Sequence, residues 1–258
     1  MASIITPNNG PQSRFLSLPP SIKIALYGGA AGGGKTWALL LSPLYQIGNK
    51  NFSGVIFRRT YPMIRAEGGL WDQSAALYPV LGGNPKESRN EWDFPSGATI
   101  RFSHLQLEKK IYDWQGSEIP FIGFDELTHF SESQFFYLLS RSRSTGKVKP
   151  HIRCTCNPDA DSWIAEFIDW WIGDDGFPIP DRAGKIRWFM RQSGEIVWAD
   201  SPDDFEKPHL ASAFTFIPAK IADNQVLMTA NPEYLANLES QHPIERAWLL
   251  SARVVRVS

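Results

Sequence analysis

A glycine-rich segment near the start of the chain constrains its fold more than any other feature. Residues 29–36 read GAAGGGKT, which satisfies the pattern GxxxxGKT. An apolar run at residues 24–27 precedes the segment, and residues 36–45, rich in leucine, follow it. A strand, a glycine turn and a helix in this order let backbone N–H groups and a helix N-terminus surround phosphate oxygens. We therefore predict a phosphate-binding loop; the alternative is a flexible glycine turn that ends in a stray lysine.

The loop residues have expected contacts with a bound nucleotide. Lys35 is expected to contact the β- and γ-phosphates, and the hydroxyl of Thr36 is expected to ligate Mg²⁺. The predicted nucleotide-binding residues of this segment are Gly29, Ala30, Ala31, Gly32, Gly33, Gly34, Lys35, Thr36 and Trp37.

Two consecutive carboxylates follow the apolar run at residues 121–124. Asp125 is expected to hold the metal, as an acidic residue does at the end of a strand in phosphate-loop enzymes. Glu126 is expected to orient and deprotonate a water that attacks the γ-phosphate, which favours hydrolysis over transfer to a small-molecule hydroxyl. The alternative is a pair of solvated acids at a strand end.

Polar residues also close two other apolar runs. Arg58 and Arg59 follow residues 55–57, and Thr155 and Asn157 close another run. Because ligands of open parallel sheets bind outside the carboxyl ends of the strands, we expect these residues to converge with the loop. Asn157 is expected to hydrogen-bond the attacking water or the γ-phosphate; a polar strand end before a proline is the alternative.

Hydrolysis also requires positive charge near the transferred phosphoryl group. Arg58 and Arg59 are the candidates within the same chain, and Arg141 and Arg143 follow the helix predicted after Glu126. For this basic segment the two alternatives are a solvated face, or a finger into a neighbouring subunit or a contact with DNA phosphate.

The remaining patterns predict an α/β fold with a mostly parallel central sheet flanked by helices. Residues 55–57 are expected to lie parallel to residues 24–27 as neighbours, and a capped helix is expected to begin at Ser131. The further expected elements are a hairpin at 92–102, buried strands at 121–124 and 152–156, a second hairpin at 187–198, a strand at 213–217 and a broken helical tail at 232–250.

Proline, glycine and tryptophan spacing suggests how the chain is organised. We predict a core at residues 1–170, a small inserted lid subdomain with a β-hairpin at 171–211, and a return to the core at 212–258 with C-terminal helices. Cys154 and Cys156 are two residues apart and form neither a disulfide framework nor a CxxC metal site. No signal-like or membrane-spanning segment is apparent, so we expect a soluble protein that is not secreted.

Charge and missing motifs exclude several function classes. The chain has 26 Lys and Arg against 27 Asp and Glu, a net charge of -1, so any polyanion contact must be a local patch. A GTPase needs the element NKxD, but Asn49 and Lys50 are followed by Asn51 and Phe52. A nucleotide or sugar kinase does not need Glu126.

The chain resembles a known protein family along nearly its whole length. The order and spacing of its segments are similar to those of the ATPase domain of large terminase subunits of tailed bacteriophages. The segments are PQSRFL, YGGAAGGGKT, VIFRRT, WDFPSGATIRF, WQGSEIPFIGFDELTHF, SRSR, TCNP, ADNQVL and YLANLESQHPIERAWLL.

The resemblance implies residue roles and a fold. Gln12 corresponds to the glutamine of the adenine motif, Asp125 and Glu126 to the metal-binding and catalytic acids, and Thr155 and Asn157 to the coupling motif. The implied fold is a P-loop NTPase of the additional-strand, catalytic-glutamate type. The implied cofactors are ATP and Mg²⁺, and the insertion predicted at residues 171–211 corresponds to the lid subdomain of the family.

The resemblance also implies an activity and partners. The implied protein is a DNA-packaging motor that hydrolyses ATP to translocate double-stranded DNA into a procapsid. Its implied partners are the portal, the small terminase subunit and further copies of the same chain. These copies are expected to be monomers in the host cytoplasm and to form a ring, expected to be pentameric, on the portal.

Two departures from the family leave questions open. The loop has no arginine of its own, so the finger is not assigned. No second cluster of carboxylates follows the ATPase segments, so nuclease activity is not expected of this chain. The alternative functions are another ring-forming P-loop ATPase on nucleic acid, such as a helicase or DNA pump, and a non-catalytic adaptor that only binds nucleotide.

Overall fold

A computed structural model describes residues 6–29, 32–146, 148–231, 233, 240 and 254. Within these residues the strands are β1 (Ile24–Gly29), β2 (Ser53–Arg58), β3 (Asn84–Lys86), β4 (Glu91–Asp93), β5 (Thr99–His104), β6 (Phe121–Phe124), β7 (His151–Cys156), β8 (Ile186–Gln192), β9 (Glu195–Ala199) and β10 (Ser212–Ala219). The α-helices are α1 (Pro11–Leu16), α2 (Lys35–Leu41), α3 (Tyr61–Arg65), α4 (Leu70–Leu77), α5 (Glu132–Leu139), α6 (Trp163–Phe167) and α7 (Gln225–Ala230). In this part of the chain no helix combines the length and apolar character that a membrane crossing requires.

The chain divides into two compact units. The first comprises Met1–Pro7 and Thr36–Thr155, and the second comprises Asn8–Lys35 and Cys156–Ser258. The phosphate-loop motif crosses the boundary between Lys35 and Thr36, so each unit carries part of it.

The first unit is built on strands in the order β3–β4–β5–β2–β6–β7. Its inner strands are parallel, since β2 pairs with β5 and β6, and β6 pairs with β7. The short strands β3 and β4 add an antiparallel margin. Phe57 stacks on Phe124 with ring centroids 5.6 Å apart, and the buried Tyr78 packs edge-on against Trp92. The Tyr78 hydroxyl donates to the carbonyl oxygen of Leu40 at 2.9 Å, so the buried phenol keeps a partner.

The second unit has the strand order β1–β10–β8–β9. β1 and β10 are parallel, and the hairpin β8–β9 joins β10 in antiparallel fashion. Helix α1 packs against β1 and β10, where Phe15 stacks on Tyr27 at 5.3 Å. The hairpin turns at Ser193 and Gly194, both with positive φ, as a tight two-residue turn requires.

Most of the predicted elements are confirmed. The hairpin at 92–102 is β4 and β5, the runs at 121–124 and 152–156 are β6 and β7, and the strand at 213–217 is β10. Ser131 caps α5, because its hydroxyl accepts from the backbone N–H of Gln134 while the Gln134 side chain accepts from the N–H of Ser131.

Two expectations are wrong in detail. Both edges of β2 are occupied by β5 and β6, so residues 55–57 do not pair with residues 24–27. A helical crossover fixes the direction of the next strand but not how many positions it passes over. The helix predicted for residues 36–45 is α-helical only to Leu41 and continues as a 3-10 helix over Ser42–Gln46. Pro43 has no N–H to donate to the preceding turn, which accounts for the change.

The predicted domain boundaries stay a prediction. The hairpin expected at residues 187–198 is present as β8 and β9, and it continues the sheet of the second unit through β10. The helical tail expected at 232–250 lies outside the described residues, except for residues 233 and 240.

Candidate nucleotide site

Asp125 occupies a buried position at the end of β6. Its backbone N–H donates to the carbonyl oxygen of Phe57 at 2.9 Å, which continues the pairing of β6 with β2. The residue is 2% exposed. Its oxygen Oδ1 accepts from the hydroxyls of Thr155 at 2.8 Å and Thr36 at 3.5 Å, and Oδ2 forms an ion pair with Arg58. The first unit therefore brings the last residue of the loop motif, Thr36, to the predicted metal-binding acid.

Burial and a neighbouring acid act against the charge of Asp125. Loss of solvent raises the pKa of the Asp125 carboxyl, and the charge of Glu126 raises it further. The Arg58 charge and the hydrogen bonds from Thr155 and Arg58 lower that pKa. The net result is a raised pKa, because the effect of burial outweighs that of the Arg58 charge, which favours the ionised form.

Glu126 follows in an unusual backbone conformation. Its φ is 59° and its ψ is 69°, in the left-handed region that residues with a side chain seldom adopt. Its N–H donates to the hydroxyl of Thr155 at 3.1 Å, and the turn Leu127–His129 begins directly after it. Strained backbone of this kind persists where the surroundings fix it and is common at functional sites.

The glycine loop lies in the second unit at the end of β1. Gly29, Gly32 and Gly34 have φ values of 148°, 75° and 71°. A Cβ on Gly29 would lie 1.9 Å from the carbonyl oxygen of Ala219 at the end of β10, so only glycine fits there. Ala30 and Ala31, predicted as nucleotide contacts, lie outside the described residues.

Side chains from three parts of the second unit hold consecutive carbonyl groups of the loop. The donors are Nδ2 of Asn224 to Gly32 at 2.5 Å, the hydroxyl of Tyr27 to Gly33 at 3.1 Å, and Nε2 of Gln12 to Gly34 at 2.9 Å. Gln12, expected in the adenine motif, also accepts from the N–H of Asn8 at 2.6 Å. In this structure the Gln12 amide therefore contacts both the loop, at Gly34, and the segment before α1, at Asn8.

Lys35 is buried at the end of the loop. Its ammonium donates to the carbonyl oxygen of Gly29 at 3.1 Å and to Oδ1 of Asn157 at 2.8 Å. The second unit thus brings together two predicted catalytic residues, Lys35 and Asn157. Trp37, two positions later in the first unit, is 40% exposed.

The predicted arginines have different surroundings. Arg58 pairs with Asp125, and its buried Nε has no hydrogen-bond partner among the described residues. Arg59 donates to the carbonyl oxygen of Leu105 at 2.9 Å and to Oε1 of Gln134 at 3.1 Å. The structure brings Arg58 to the predicted metal-binding acid and joins Arg59 to the cap of α5.

The second arginine pair lies at the surface after α5. Arg143 is exposed and donates to the carbonyl oxygens of Gly116 at 3.1 Å and Ser117 at 3.3 Å. The Arg141 guanidinium lies 5.1 Å from the ring centre of Tyr137. Lys147 of the same basic segment is outside the described residues.

The site includes residues that sequence reasoning missed. Tyr27 was expected only as the last residue of a strand, and no role was assigned to Asn8 or Asn224. The contacts of Asn224 with Asn8 and with Gly32 join segments far apart in the chain, whereas Tyr27 contacts Gly33 six positions later. The one available signal was the segment ADNQVL, which contributed to the family resemblance without a function.

The arrangement suits Mg²⁺ bound together with a nucleotide. Mg²⁺ prefers hard oxygen ligands and usually keeps water and phosphate oxygens beside one or two protein ligands. The Thr36 hydroxyl and the Asp125 carboxylate supply two such oxygens 3.5 Å apart. Within the described ranges no group of three His, Cys, Asp or Glu side chains gathers into a cluster able to hold a metal by itself.

Comparison with known proteins places this arrangement in a known fold. Over residues 26–255 the sequence matches the family described as terminase large subunit, T4likevirus-type, N-terminal. No curated protein sequence matches the chain.

Solved phage terminases share its fold. The large terminase of a thermophilic bacteriophage superimposes with a TM-score of 0.64 at 14% identity, covering 97% of this chain and 54% of that one. The same terminase in complex with ADP gives 0.62 at 14% identity, with 94% and 52% covered. The large terminase ATPase domain of Thermus phage P74-26 gives 0.55 at 15% identity, with 96% and 94% covered. The chain spans about half the length of the first of these terminases, and the predicted α/β P-loop NTPase fold is confirmed.

Proposed function

The chain belongs to the family of N-terminal domains of large terminase subunits of the T4-like type, and from this premise we propose that it is the ATP-hydrolysing motor that translocates double-stranded DNA into a procapsid. The observation that carries the proposal is the meeting of Thr36, Asp125 and Thr155 beside Glu126. That arrangement joins the end of a phosphate loop, a metal-binding acid and a candidate base, the parts that ATP hydrolysis needs.

The loop and Lys35 bind the triphosphate in the proposed mechanism. Backbone N–H groups of the loop contact the phosphate oxygens, and the Lys35 ammonium leaves the carbonyl of Gly29 for the β- and γ-phosphates. Thr36 and Asp125 would hold Mg²⁺, which when bound offsets phosphate charge. Gln12 contacts the loop at Gly34, and the family resemblance assigns it to the adenine of the bound nucleotide.

Hydrolysis requires a base and a stabilised leaving charge. Glu126 accepts the proton of the attacking water. Its left-handed backbone conformation and the hydrogen bond from its N–H to Thr155 fix the backbone from which the carboxylate projects. Asn157 accepts a hydrogen bond from Lys35, and we expect it to respond through that ammonium to the loss of the γ-phosphate. Arg58 forms an ion pair with the metal-binding acid, and it supplies positive charge in cis.

The partners are proposed on the same basis. We expect double-stranded DNA to bind without sequence preference, and the chain to form a ring, pentameric by family resemblance, on the portal with the small terminase subunit nearby. The isolated chain is expected to be a monomer. In an infected cell the protein is expected in the host cytoplasm.

ATP hydrolysis with and without DNA and procapsids tests the proposal. We expect slow Mg²⁺-dependent turnover of the isolated chain that EDTA abolishes, and faster turnover when procapsids and linear duplex are present. Lys35→Ala should lose nucleotide binding, whereas Lys50→Ala, at an exposed site, should not. Absence of hydrolysis under all conditions would contradict an ATPase. Hydrolysis coupled to strand separation rather than DNA uptake would favour the helicase alternative.

A further inference from the structure

Asn224 lies where the polypeptide leaves the sheet of the second unit. β10 ends at Ala219 directly against Gly29, and a short turn over Ile221–Asp223 leads to Asn224. Asn224 is the N-cap of α7, because its Oδ1 accepts from the backbone N–H of Leu227 at 3.2 Å. This half of the side chain has an ordinary structural role.

The other half of the Asn224 amide reaches the phosphate loop. Its Nδ2 donates to the carbonyl oxygen of Gly32 at 2.5 Å, across 192 positions of sequence. Its Oδ1 also accepts from Nδ2 of Asn8 at 3.1 Å. One side chain therefore joins the start of α7, the segment before α1 and the loop.

The bond to Gly32 belongs to a row of three. The carbonyls of Gly32, Gly33 and Gly34 each accept from a different side chain, as described above. In a trans peptide the C=O of one residue and the N–H of the next point in opposite directions. Carbonyls held toward the protein therefore direct the N–H groups of Gly33, Gly34 and Lys35 to the opposite side, where a phosphate would lie.

Gly34 shows how closely the amides approach the loop. A Cβ built on Gly34 would lie 2.8 Å from Nε2 of Gln12, 3.7 Å from Nδ2 of Asn8 and 3.8 Å from Nδ2 of Asn224. The three amides therefore converge on one peptide segment. Of the three, Asn224 is the one that caps α7, so its side chain connects the loop to the start of that helix.

We propose that Asn224 is a positioning residue for nucleotide binding: through the Gly32 carbonyl it sets the geometry of the phosphate loop and couples that geometry to α7. The proposal rests on the proposed ATPase function. Because a net intramolecular hydrogen bond contributes modestly to stability, loss of this one should weaken ATP affinity by about 3- to 10-fold. The chemical step should change less, since the contacts of Asn224 are with the loop backbone, with Asn8 and with the start of α7.

Two substitutions separate the loop bond from the helix cap. Asn224→Ser keeps a good N-cap without a charge, but its hydroxyl is too short to reach Gly32. Asn224→Asp keeps the acceptor for Leu227 and Asn8 but has no N–H to donate. Gln225 is exposed and adjacent, so Gln225→Ser and Gln225→Asp are matched controls for side-chain size and charge.

The measurements are the dissociation constant for ATP, steady-state turnover, thermal unfolding, and hydrogen exchange of peptides covering residues 27–41 without nucleotide. Both Asn224 variants should show faster exchange in these peptides and weaker ATP binding with nearly unchanged kcat. Their unfolding temperatures should fall by no more than about 2–4 °C, and all properties of the Gln225 variants should stay close to wild type.

The outcomes distinguish this inference from the proposed function. Unchanged exchange or unchanged ATP affinity in Asn224→Ser would overturn it and leave Asn224 a helix cap only. Equal losses in the Asn224→Asp and Gln225→Asp proteins, with Asn224→Ser normal, would also overturn it, since charge alone would explain them. If the wild-type chain binds no ATP, the proposed function fails, and exchange at residues 27–41 alone decides whether Asn224 holds the loop.

Discussion

The Thr155 hydroxyl links the two acids on which the proposed chemistry depends. It donates to Oδ1 of Asp125 and accepts from the N–H of Glu126, and the residue is fully buried. One hydroxyl therefore fixes both the carboxylate expected at the metal and the backbone from which the candidate base projects. A side chain that positions two groups in this way should affect stability and turnover together.

Replacement of Thr155 by valine tests this link. Thr155→Val keeps the shape but leaves a buried carboxylate oxygen and a backbone N–H without that partner, which should cost about 1–3 kcal/mol of unfolding free energy. The turnover number for ATP should fall while ATP affinity changes little. Urea unfolding and steady-state hydrolysis measure the two effects. Thr155→Ser retains the hydroxyl and serves as the control; equal behaviour of the valine and serine proteins would refute the link.

Glu126 carries the most specific chemical expectation. Glu126→Gln removes the proton acceptor at nearly constant size, so the turnover number should fall by about 10²- to 10⁴-fold while ATP still binds. Single-turnover hydrolysis and equilibrium binding of ATP separate the two steps. Glu67→Gln, at an exposed site, is the matched control. Normal turnover of the Glu126→Gln protein would remove Glu126 from the role of base.

The start of the loop depends on the approach of two strands. β1 and β10 run parallel, and their last residues pair at Gly29 and Ala219. Lack of a side chain at Gly29 lets the backbone pass within contact distance of the Ala219 carbonyl with a φ of 148°. The glycine is therefore needed for strand packing as well as for phosphate contact.

An alanine at this position should disrupt the second unit. Gly29→Ala places a Cβ against a backbone oxygen at the paired end of β10, so the loss of stability should be large, on the order of 3 kcal/mol or more. Gly48→Ala is the control, because nothing lies within 4 Å of a Cβ there among the described residues. Thermal unfolding of both proteins checks the expectation. Similar melting temperatures would mean that the strand ends can separate at little cost.

Local sequence patterns predicted the helices and strands better than they predicted which strands pair with each other. The hairpin β4–β5 and the cap of α5 follow from short stretches such as FPSGA and the serine at 131, so sequence alone was sufficient. The prediction that β2 pairs with β1 was wrong, because strand order depends on contacts between residues distant in the sequence. The same reason hid Asn224, whose bond to Gly32 spans 192 positions, and the contact between Arg59 and Gln134. The proximity of Asp125 and Thr36 was predictable, because each follows a strand of the sheet within a recognisable motif; their metal-binding role stays a prediction.

The charge of the whole chain limits how it can bind DNA. With a net charge of -1, the molecule has no field that would attract DNA from a distance, so the proposed contacts must come from local basic residues. Arg141 and Arg143 lie on the surface after α5, and the guanidinium of Arg143 is bound only through neutral carbonyl groups in the contacts seen. Such a group keeps its charge available to a phosphate of a neighbouring subunit or of DNA.

Mixing of inactive subunits tests whether either arginine acts across an interface. If Arg143 completes the site of its neighbour, Arg143→Ala should lower turnover by up to about 10³-fold. Addition of Glu126→Gln protein should then restore part of the activity, because it supplies the arginine to a subunit that keeps its own base. Arg141→Ala is tested in the same way, and Lys149→Ala, another exposed cation of the segment, is the control for lost charge. Hydrolysis measured on procapsids over a range of mixing ratios should pass through a maximum for the arginine that acts in trans. A steady decline at every ratio for both arginines would show that neither does, and would leave Arg58 as the source of positive charge within its own chain.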